Sequence, residues 1–148
     1  MMDNQPQENP EEIMEKVLFN EMISVKQLKQ LMDAGLTQMT PLDLRTEVEQ
    51  QEGLIPSSLC FPCEHNLANR QDTGAFSKDF LAKFDPSLFD PEVRYVLICR
   101  SGPRTAIALD HFLDGGLQAC ELIGGVVEWQ RQAYPLETPE DLPQVATG

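Results

Sequence analysis

A cysteine followed within five residues by two arginines is the feature of this 148-residue chain that points most directly to chemistry. Cys99 comes directly after the apolar run YVLI and opens the sequence CRSGPRT, in which a helix is predicted to begin. Unpaired N–H groups and the helix dipole make such a helix start electropositive, and a sulfur held there is favoured as the thiolate. Arg100 and Arg104 add positive charge, and Gly102 lets the backbone curl around a small anion. The pattern predicts a nucleophile inside an anion-binding loop, and the simpler alternative is a cysteine that only fills the core at the end of a strand.

The elements that must position Cys99 alternate between strands and helices along the chain. A capping box at Ser24, with Ile23 and Leu28 as a hydrophobic staple, starts a helix that Gly35 ends. Apolar spacing predicts strands over residues 38–44, 54–61, 94–98 and 117–123, and helices over 46–52, 76–84, 105–113 and around Trp129. Pro41 is awkward in a central strand because it cannot donate to the ladder. The alternation predicts an α/β fold with a mostly parallel central sheet flanked by helices, which binds ligands beyond the carboxyl ends of its strands.

Several motifs in a fixed order make the chain similar to a known family. The sequence CRSGPRT resembles the active-site loop of the rhodanese-like sulfurtransferases. The blocks that agree with that family are Asp43-Leu44-Arg45 with Glu49, Gly53-Leu54-Ile55-Pro56, residues 58–62, and Leu122-Ile123-Gly124-Gly125 with Trp129 and Pro135. Together they cover nearly the whole of the predicted folded part.

The chain also departs from the family pattern at a few scaffold positions and at one loop position. Leu54 stands where His is usual, Gln50 where an aromatic is usual, and Ser57-Ser58 where a small Gly-Ala pair is usual. Pro103 lies inside the loop and removes one backbone N–H, unless it serves as the first residue of the helix, where that donor would be unpaired anyway.

The resemblance implies a rhodanese-like three-layer domain and a sulfurtransferase that needs neither a cofactor nor a metal. The Cys99 thiolate would take the outer sulfur of a small donor anion such as thiosulfate and become a persulfide. A thiol or cyanide acceptor, which could be a protein thiol, would then remove that sulfur. The candidate substrate-binding loop around the nucleophile consists of Arg100, Ser101, Gly102, Pro103, Arg104 and Thr105.

Five charged residues receive more specific expectations. Arg100 is the candidate for binding the donor's sulfonate, and Arg104 either faces the anion or pairs with an acid of the scaffold. Asp43, Arg45 and Glu49 are expected to form a structural charge cluster, in which Arg45 and Glu49 have i,i+4 spacing.

Composition excludes several other classes of function. With 24 acidic and 11 basic side chains the net charge is −13, which opposes binding to nucleic acid or to an anionic membrane surface. Two histidines are too few for a histidine-built metal centre. The polar ends predict tails at 1–19 and 137–148 around a rhodanese-like domain at 20–136. The start of the chain has no leader, so we expect a cytoplasmic protein with mostly reduced cysteines.

Two rival functions remain from the sequence. Arsenate reductases and cell-cycle phosphatases of similar fold place five residues between Cys and Arg, whereas four separate Cys99 from Arg104, a loop better suited to a sulfur atom than to a phosphate. The rival from another class is a rhodanese-like binding or redox-regulatory module with little turnover, which often lacks the cysteine.

The pair Cys60 and Cys63 forms a CxxC spacing at the end of a predicted strand. We interpret it as two core cysteines, because redox pairs of this spacing usually open a helix. A further hypothesis is that the strands ending before Cys63 and Cys99 run parallel, so that their carboxyl ends lie on the same side of the sheet. If the Cα atoms lie within about 7 Å, Cys63 could attack the Cys99 persulfide, form a Cys63–Cys99 disulfide and release sulfide.

Overall fold

The computed structural model describes residues 9–35, 39–101 and 103–145. The strands are β1 (Met22–Ile23), β2 (Met39–Asp43), β3 (Leu59–Cys60), β4 (Arg94–Ile98) and β5 (Gln118–Leu122). The helices are α1 (Pro10–Asn20), α2 (Val25–Asp33), α3 (Glu47–Gln51), α4 (Gly74–Lys83), α5 (Pro103–Asp114) and α6 (Gly125–Arg131), with a 3-10 turn at Pro86–Leu88. Within the described residues the strands form one parallel sheet in the order β1-β5-β4-β2-β3.

Helices cover both faces of this sheet, as the predicted three-layer α/β architecture requires. On one face Tyr95 and Leu97 of β4 pack into an aromatic-rich cluster with Phe80 of α4 and Phe112 of α5. On the other face Val96 and Ile98 belong to a cluster that holds the fully buried Trp129 of α6. Alternate residues of β4 therefore enter two different cores, which explains its unbroken apolar sequence.

The chain before β1 is a packed helix, so the expectation of a polar tail at 1–19 is wrong for the described part of that segment. The side chain of Asn9 caps α1 by accepting from Glu12 N, and Pro10 occupies the first helical turn, where its missing N–H does no harm. Ile13 and Val17, spaced i,i+4, are fully buried against the α2 side of the sheet.

The chain after α6 is likewise not a loose tail where the structure describes it. Leu54 and Glu137 exchange backbone hydrogen bonds of 2.8 and 2.7 Å. Further on, Cys60 N donates to Pro143 O at 2.7 Å, and Val145 N donates to Cys60 O at 3.0 Å. Residues 143–145 thus line the outer edge of β3, Glu137 pairs with Leu54, and Val145 is buried in the aromatic-rich cluster.

The predicted strand at 54–61 is mostly irregular, and only Leu59–Cys60 pairs with β2. A turn at residues 56–57, with Ser57 at φ +68°, interrupts the extended chain. The predicted helix at 76–84 is present as α4, but Leu81 does not share its buried face and is 56% exposed.

Pro41 lies in the middle of β2, opposite Val96 of β4. Leu44 N donates to Ile98 O, so even-numbered residues of β2 direct their N–H groups to β4 and odd-numbered residues direct theirs to the β3 side. Because β3 pairs only with Leu42 and Asp43, the Pro41 nitrogen meets no strand. The proline therefore removes no ladder hydrogen bond.

Candidate active site

Cys99 follows β4, which lies between β2 and β5, and therefore sits at the carboxyl edge of the parallel sheet. Its side chain is buried, with 1% exposure, whereas Arg100 and Ser101 are exposed. Helix α5 begins at Pro103, so the proline occupies a position where the missing N–H costs no helical hydrogen bond. Gly102 lies outside the described residues.

The start of α6 holds the backbone on the strand side of the loop. Val126 N donates to Cys99 O and Val127 N donates to Arg100 O, each at 3.1 Å. Gly125 has φ +58°, and a Cβ atom added there would overlap both of these carbonyl oxygens. Only glycine allows this close approach. The sequence identified Gly125 as part of a motif, but its contact with the Cys99 loop became visible only in the structure.

Arg104 pairs with an acid of the scaffold, which is the second of the two alternatives expected for it. Its Nη1 and Nη2 donate to Oε1 and Oε2 of Glu49 at 2.8 and 3.1 Å, and both residues are buried. Thr105, the next residue, donates its hydroxyl to Glu121 Oε1 at 2.9 Å. These two loop residues fasten the first turn of α5 to α3 and β5.

The Glu49 carboxylate is held ionised by its surroundings. Burial alone would raise its pKa, but hydrogen bonds from Arg104 and from the backbone N–H of Thr46 outweigh that effect and lower the pKa to about 2. Thr46 also caps α3, and its N–H lies 3.0 Å from Glu49 Oε1. Glu49 therefore stays a charged anchor for Arg104 across the ordinary pH range.

The expected pair between Arg45 and Glu49 does not form. Arg45 instead binds Asp43, with Nη2 at 2.9 Å from Oδ2, and donates to Gly53 O at 2.6 Å. Burial raises the pKa of Asp43, against the lowering influence of Arg45. The i,i+4 rule fails because α3 begins at Glu47, so Arg45 precedes the helix.

Gln50 joins Asp43 and Arg45 in a buried polar cluster. Its Nε2 donates to the carbonyl oxygens of Asp43 and Arg45 at 2.9 and 3.0 Å. The amide thus ties the chain after β2 to α3, at the position where the family usually has an aromatic residue.

The other three cysteines are buried free thiols in the core. Burial raises the pKa of Cys60, Cys63 and Cys120 to about 12. The strands before Cys63 and Cys99 do run parallel, as the Cys63–Cys99 hypothesis expects, but β2 lies between β3 and β4, so their carboxyl ends are not adjacent. The Cys63 thiol instead lies 3.4 Å from Phe61 O.

Within residues 9–35, 39–101 and 103–145 no three His, Cys, Asp or Glu side chains are grouped so that they could hold a metal ion. None of the helices described there has the length and apolar character needed to cross a membrane.

The domain has three layers, and a cysteine loop lies at the carboxyl edge of its parallel sheet. These features define a class of α/β domains, and sequence similarity identifies the family within that class. Residues 24–132 match the family model described as the rhodanese-like domain, so the chain belongs to that family. A sulfurtransferase from Allochromatium vinosum is 28% identical over 100 residues, which cover 67% of this chain and 78% of that protein.

Solved structures of similar fold come from archaea and bacteria. A rhodanese-related protein from Thermoplasma volcanium has a TM-score of 0.62 at 22% identity, covering 80% of this chain and 98% of its own. A thiosulfate sulfurtransferase from Pseudomonas aeruginosa has a TM-score of 0.62 at 20% identity, covering 94% of this chain and 24% of its own. These likenesses confirm the predicted α/β fold.

Proposed function

We propose that this protein is a sulfurtransferase that carries sulfane sulfur on Cys99 as a persulfide. The observation that carries the proposal is the position of Cys99 between the end of β4 and the start of α5, with the loop fixed by α6 on one side and by Glu49 on the other. Family membership and the names of the Allochromatium and Pseudomonas relatives support the same chemistry.

In the first half-reaction the Cys99 thiolate attacks the outer sulfur of thiosulfate. A new S–S bond forms to Cys99 while the S–S bond of the donor breaks, and sulfite leaves with the bonding electron pair. The product is the Cys99 persulfide, whose terminal sulfur lies at the start of α5, where unpaired N–H groups and the helix dipole favour negative charge.

In the second half-reaction an acceptor removes the terminal sulfur. Cyanide or a thiolate attacks it, the Cys99–sulfur bond breaks, and the thiolate of Cys99 is regenerated. The acceptor product is thiocyanate or a persulfide. The donor reacts with the Cys99 thiolate and the acceptor reacts later with the Cys99 persulfide. Because these two steps are separate, the kinetics are expected to be ping-pong.

The two arginines of the loop have different roles in this proposal. Arg100 is exposed and is assigned to the sulfonate of the donor. Arg104 is bidentate on Glu49 and buried, so it positions α5 rather than binding substrate. This engagement of Arg104 also disfavours a phosphatase, because such an enzyme needs the loop arginine on its phosphate.

The second candidate is a rhodanese-like binding or redox-regulatory module with little turnover. The observation in its favour is the 1% exposure of Cys99, since a nucleophile this buried must be uncovered before a donor reaches it. The two candidates differ in a simple observable, namely whether thiosulfate leaves a sulfur atom on the protein.

Mass spectrometry after thiosulfate treatment tests the proposal. We expect the reduced protein to gain the mass of one sulfur atom on the peptide that contains Cys99, and cyanide to remove it with formation of thiocyanate. Cys99→Ser should abolish both steps, because serine is nearly isosteric but is not ionised near pH 7.

The matched controls are Cys63→Ser and Cys120→Ser, which change buried thiols whose raised pKa values keep them protonated. Both should load sulfur like the native protein. A wild-type protein that takes up no sulfur, or a Cys99→Ser variant that still transfers it, contradicts the proposal.

A further inference from the structure

His65 is a buried side chain whose hydrogen-bonding groups are unused. It is 8% exposed and follows β3, and neither of its ring nitrogens makes a hydrogen bond of full geometry with a described residue, its weaker contact being with the Arg70 backbone. A neutral imidazole carries one N–H donor and one acceptor. Buried polar groups are nearly always paired, so this ring indicates a ligand that completes its hydrogen bonds.

Arg70, five residues further along the same segment, also has an unused donor. Its Nε is buried and has no partner among the described residues, while its Nη2 lies 4.0 Å from Glu49 Oε2. The side chain is 36% exposed. Arg70 therefore combines a positive charge, a free N–H and access from solvent.

Both residues lie beside the ion pair that anchors the Cys99 loop. Arg70 approaches the same Glu49 carboxylate that binds Arg104 of α5. Burial, and next the nearby positive charge of Arg104, lower the pKa of His65. The segment that carries the two residues leaves the sheet at the carboxyl end of β3, and Cys99 leaves it at the carboxyl end of β4.

We propose that His65 and Arg70 form an oxyanion subsite beside the Cys99 loop, which acts together with Arg100 to hold the sulfonate of the sulfur donor and the sulfite that leaves. Two N–H donors without acceptors and one cation fit a small anion with several oxygens. Arg104 is neutralised by Glu49, so Arg70 supplies the positive charge that Arg104 does not. The identity of the ligand rests on the proposed function, whereas anion binding itself does not.

Anion binding is measured on the reduced wild-type protein by titration with sulfite, followed through imidazole NMR resonances. The chain has only two histidines, so His111 is an internal control; it lies on α5 against Phe80, with ring centroids 5.7 Å apart. We expect saturable shifts of His65 and none of His111. The same ionic strength of chloride should produce no saturable shift.

Arg70→Gln should weaken sulfite binding about tenfold, because it removes a charge-assisted hydrogen bond. Lys78→Gln is the matched control, since it removes one positive charge from an exposed position of α4 and should leave the affinity unchanged. Saturable sulfite binding that survives in both Arg70→Gln and His65→Gln overturns the subsite; the His65 variant lacks the reporter imidazole, so calorimetry measures binding in both variants. The Arg70 variant and the wild-type titration decide the question if His65→Gln does not fold.

Steady-state kinetics assign the subsite to one substrate. In ping-pong kinetics the kcat/KM for thiosulfate reports the donor half-reaction alone, and that for the acceptor reports the other half. Arg70→Gln should lower the value for thiosulfate about tenfold and leave the value for cyanide within about twofold. A loss confined to an anionic thiol acceptor such as 3-mercaptopropionate overturns the assignment to the donor.

The outcomes separate this inference from the proposed function. If the wild-type protein transfers no sulfur, the proposed function fails, and the sulfite titration still determines whether His65 and Arg70 bind an oxyanion. If transfer is normal and neither Arg70→Gln nor His65→Gln changes the kcat/KM for thiosulfate, the subsite is wrong while the function stands.

Discussion

Individual side chains set the electrostatics around Cys99, and Glu49 connects several of them. It accepts hydrogen bonds from Arg104 and Thr46, and Arg70 lies 4.0 Å away. Cys99 could be proposed as the nucleophile from sequence because it lies close to Arg104 along the chain. The partner of Arg104 could not, since Glu49 lies 55 residues before it and only the fold brings them together.

Glu49→Gln should lower the free energy of unfolding at pH 7 by about 3 kcal/mol, because the variant leaves the Arg104 charge buried without its counter-ion. The folded-state pKa of Glu49 is lowered to about 2 from the ordinary 4.5. Its contribution is therefore complete above pH 4.5 and is lost as the pH falls toward 2. Urea unfolding of both proteins between pH 7 and pH 3 measures this difference.

The matched control for that experiment is Glu47→Gln, an exposed carboxylate of the same helix, which should cost no more than about 1 kcal/mol. A gap between wild type and Glu49→Gln that stays constant from pH 7 to pH 3 would show that charge pairing is not its cause.

Short strands and helices hold the Cys99 loop in place. Their contacts explain why some of them could be predicted from sequence and others could not. The core strands β4 and β5 and the helices α2 and α5 were predicted close to their observed bounds, because apolar spacing and caps are local signals. Most of the strand expected at 54–61 does not form, because its apolar residues contact other elements without pairing with β2, as Leu54 does with Glu137. Helix α1 was missed although Asn9, Pro10, Ile13 and Val17 carry its cap and its buried spacing.

Gly125→Ala should disrupt the loop at the contact between α6 and Cys99. The variant combines a left-handed backbone conformation with an overlap on the carbonyl oxygens of Cys99 and Arg100. We expect a loss of about 2 kcal/mol or more in the free energy of unfolding and at least a tenfold loss of sulfur transfer.

Gly116→Ala separates the two causes, because Gly116 has φ +79° with no atom within 4 Å of an added Cβ. It should lose about 1 kcal/mol of stability through backbone strain alone and retain normal transfer. Equal activity losses in the two variants would argue against a specific role of the Gly125 contact.

Ile13→Ala should lower the free energy of unfolding by about 2–4 kcal/mol, since it leaves a cavity under α1 where Ile13 is fully buried. Leu18→Ala on the same helix is the control; Leu18 is 55% exposed and the change should stay within about 0.5 kcal/mol. Chemical denaturation measures both variants. Equal stabilities of Ile13→Ala and wild type would show that α1 is a loosely attached tail and not a packed helix.

The molecule as a whole carries a net charge of −13, and this charge opposes its own compact state. Salt screens such repulsion over a Debye length of about 10 Å at 0.1 M. Raising sodium chloride from about 0.02 M to about 0.5 M should therefore increase the free energy of unfolding at pH 7 by about 1 kcal/mol.

A variant that neutralises the exposed acids Glu52, Asp110 and Glu140 as amides provides the comparison for the salt experiment. Its stability should rise less steeply with salt than that of the wild-type protein. Identical slopes, or a stability that falls with salt in both proteins, would exclude net repulsion as the cause.

The chain that lines the outer edge of β3 also affects what neighbouring copies can do. An open strand edge is a template for pairing with another molecule and so for aggregation. Here Cys60 has both of its outward backbone groups bonded to Pro143 and Val145, and Pro139 and Pro143 offer no N–H of their own. By covering the β3 edge, residues 143–145 protect this side of the sheet against edge-to-edge assembly and thereby contribute to the colloidal stability of the protein at high concentration.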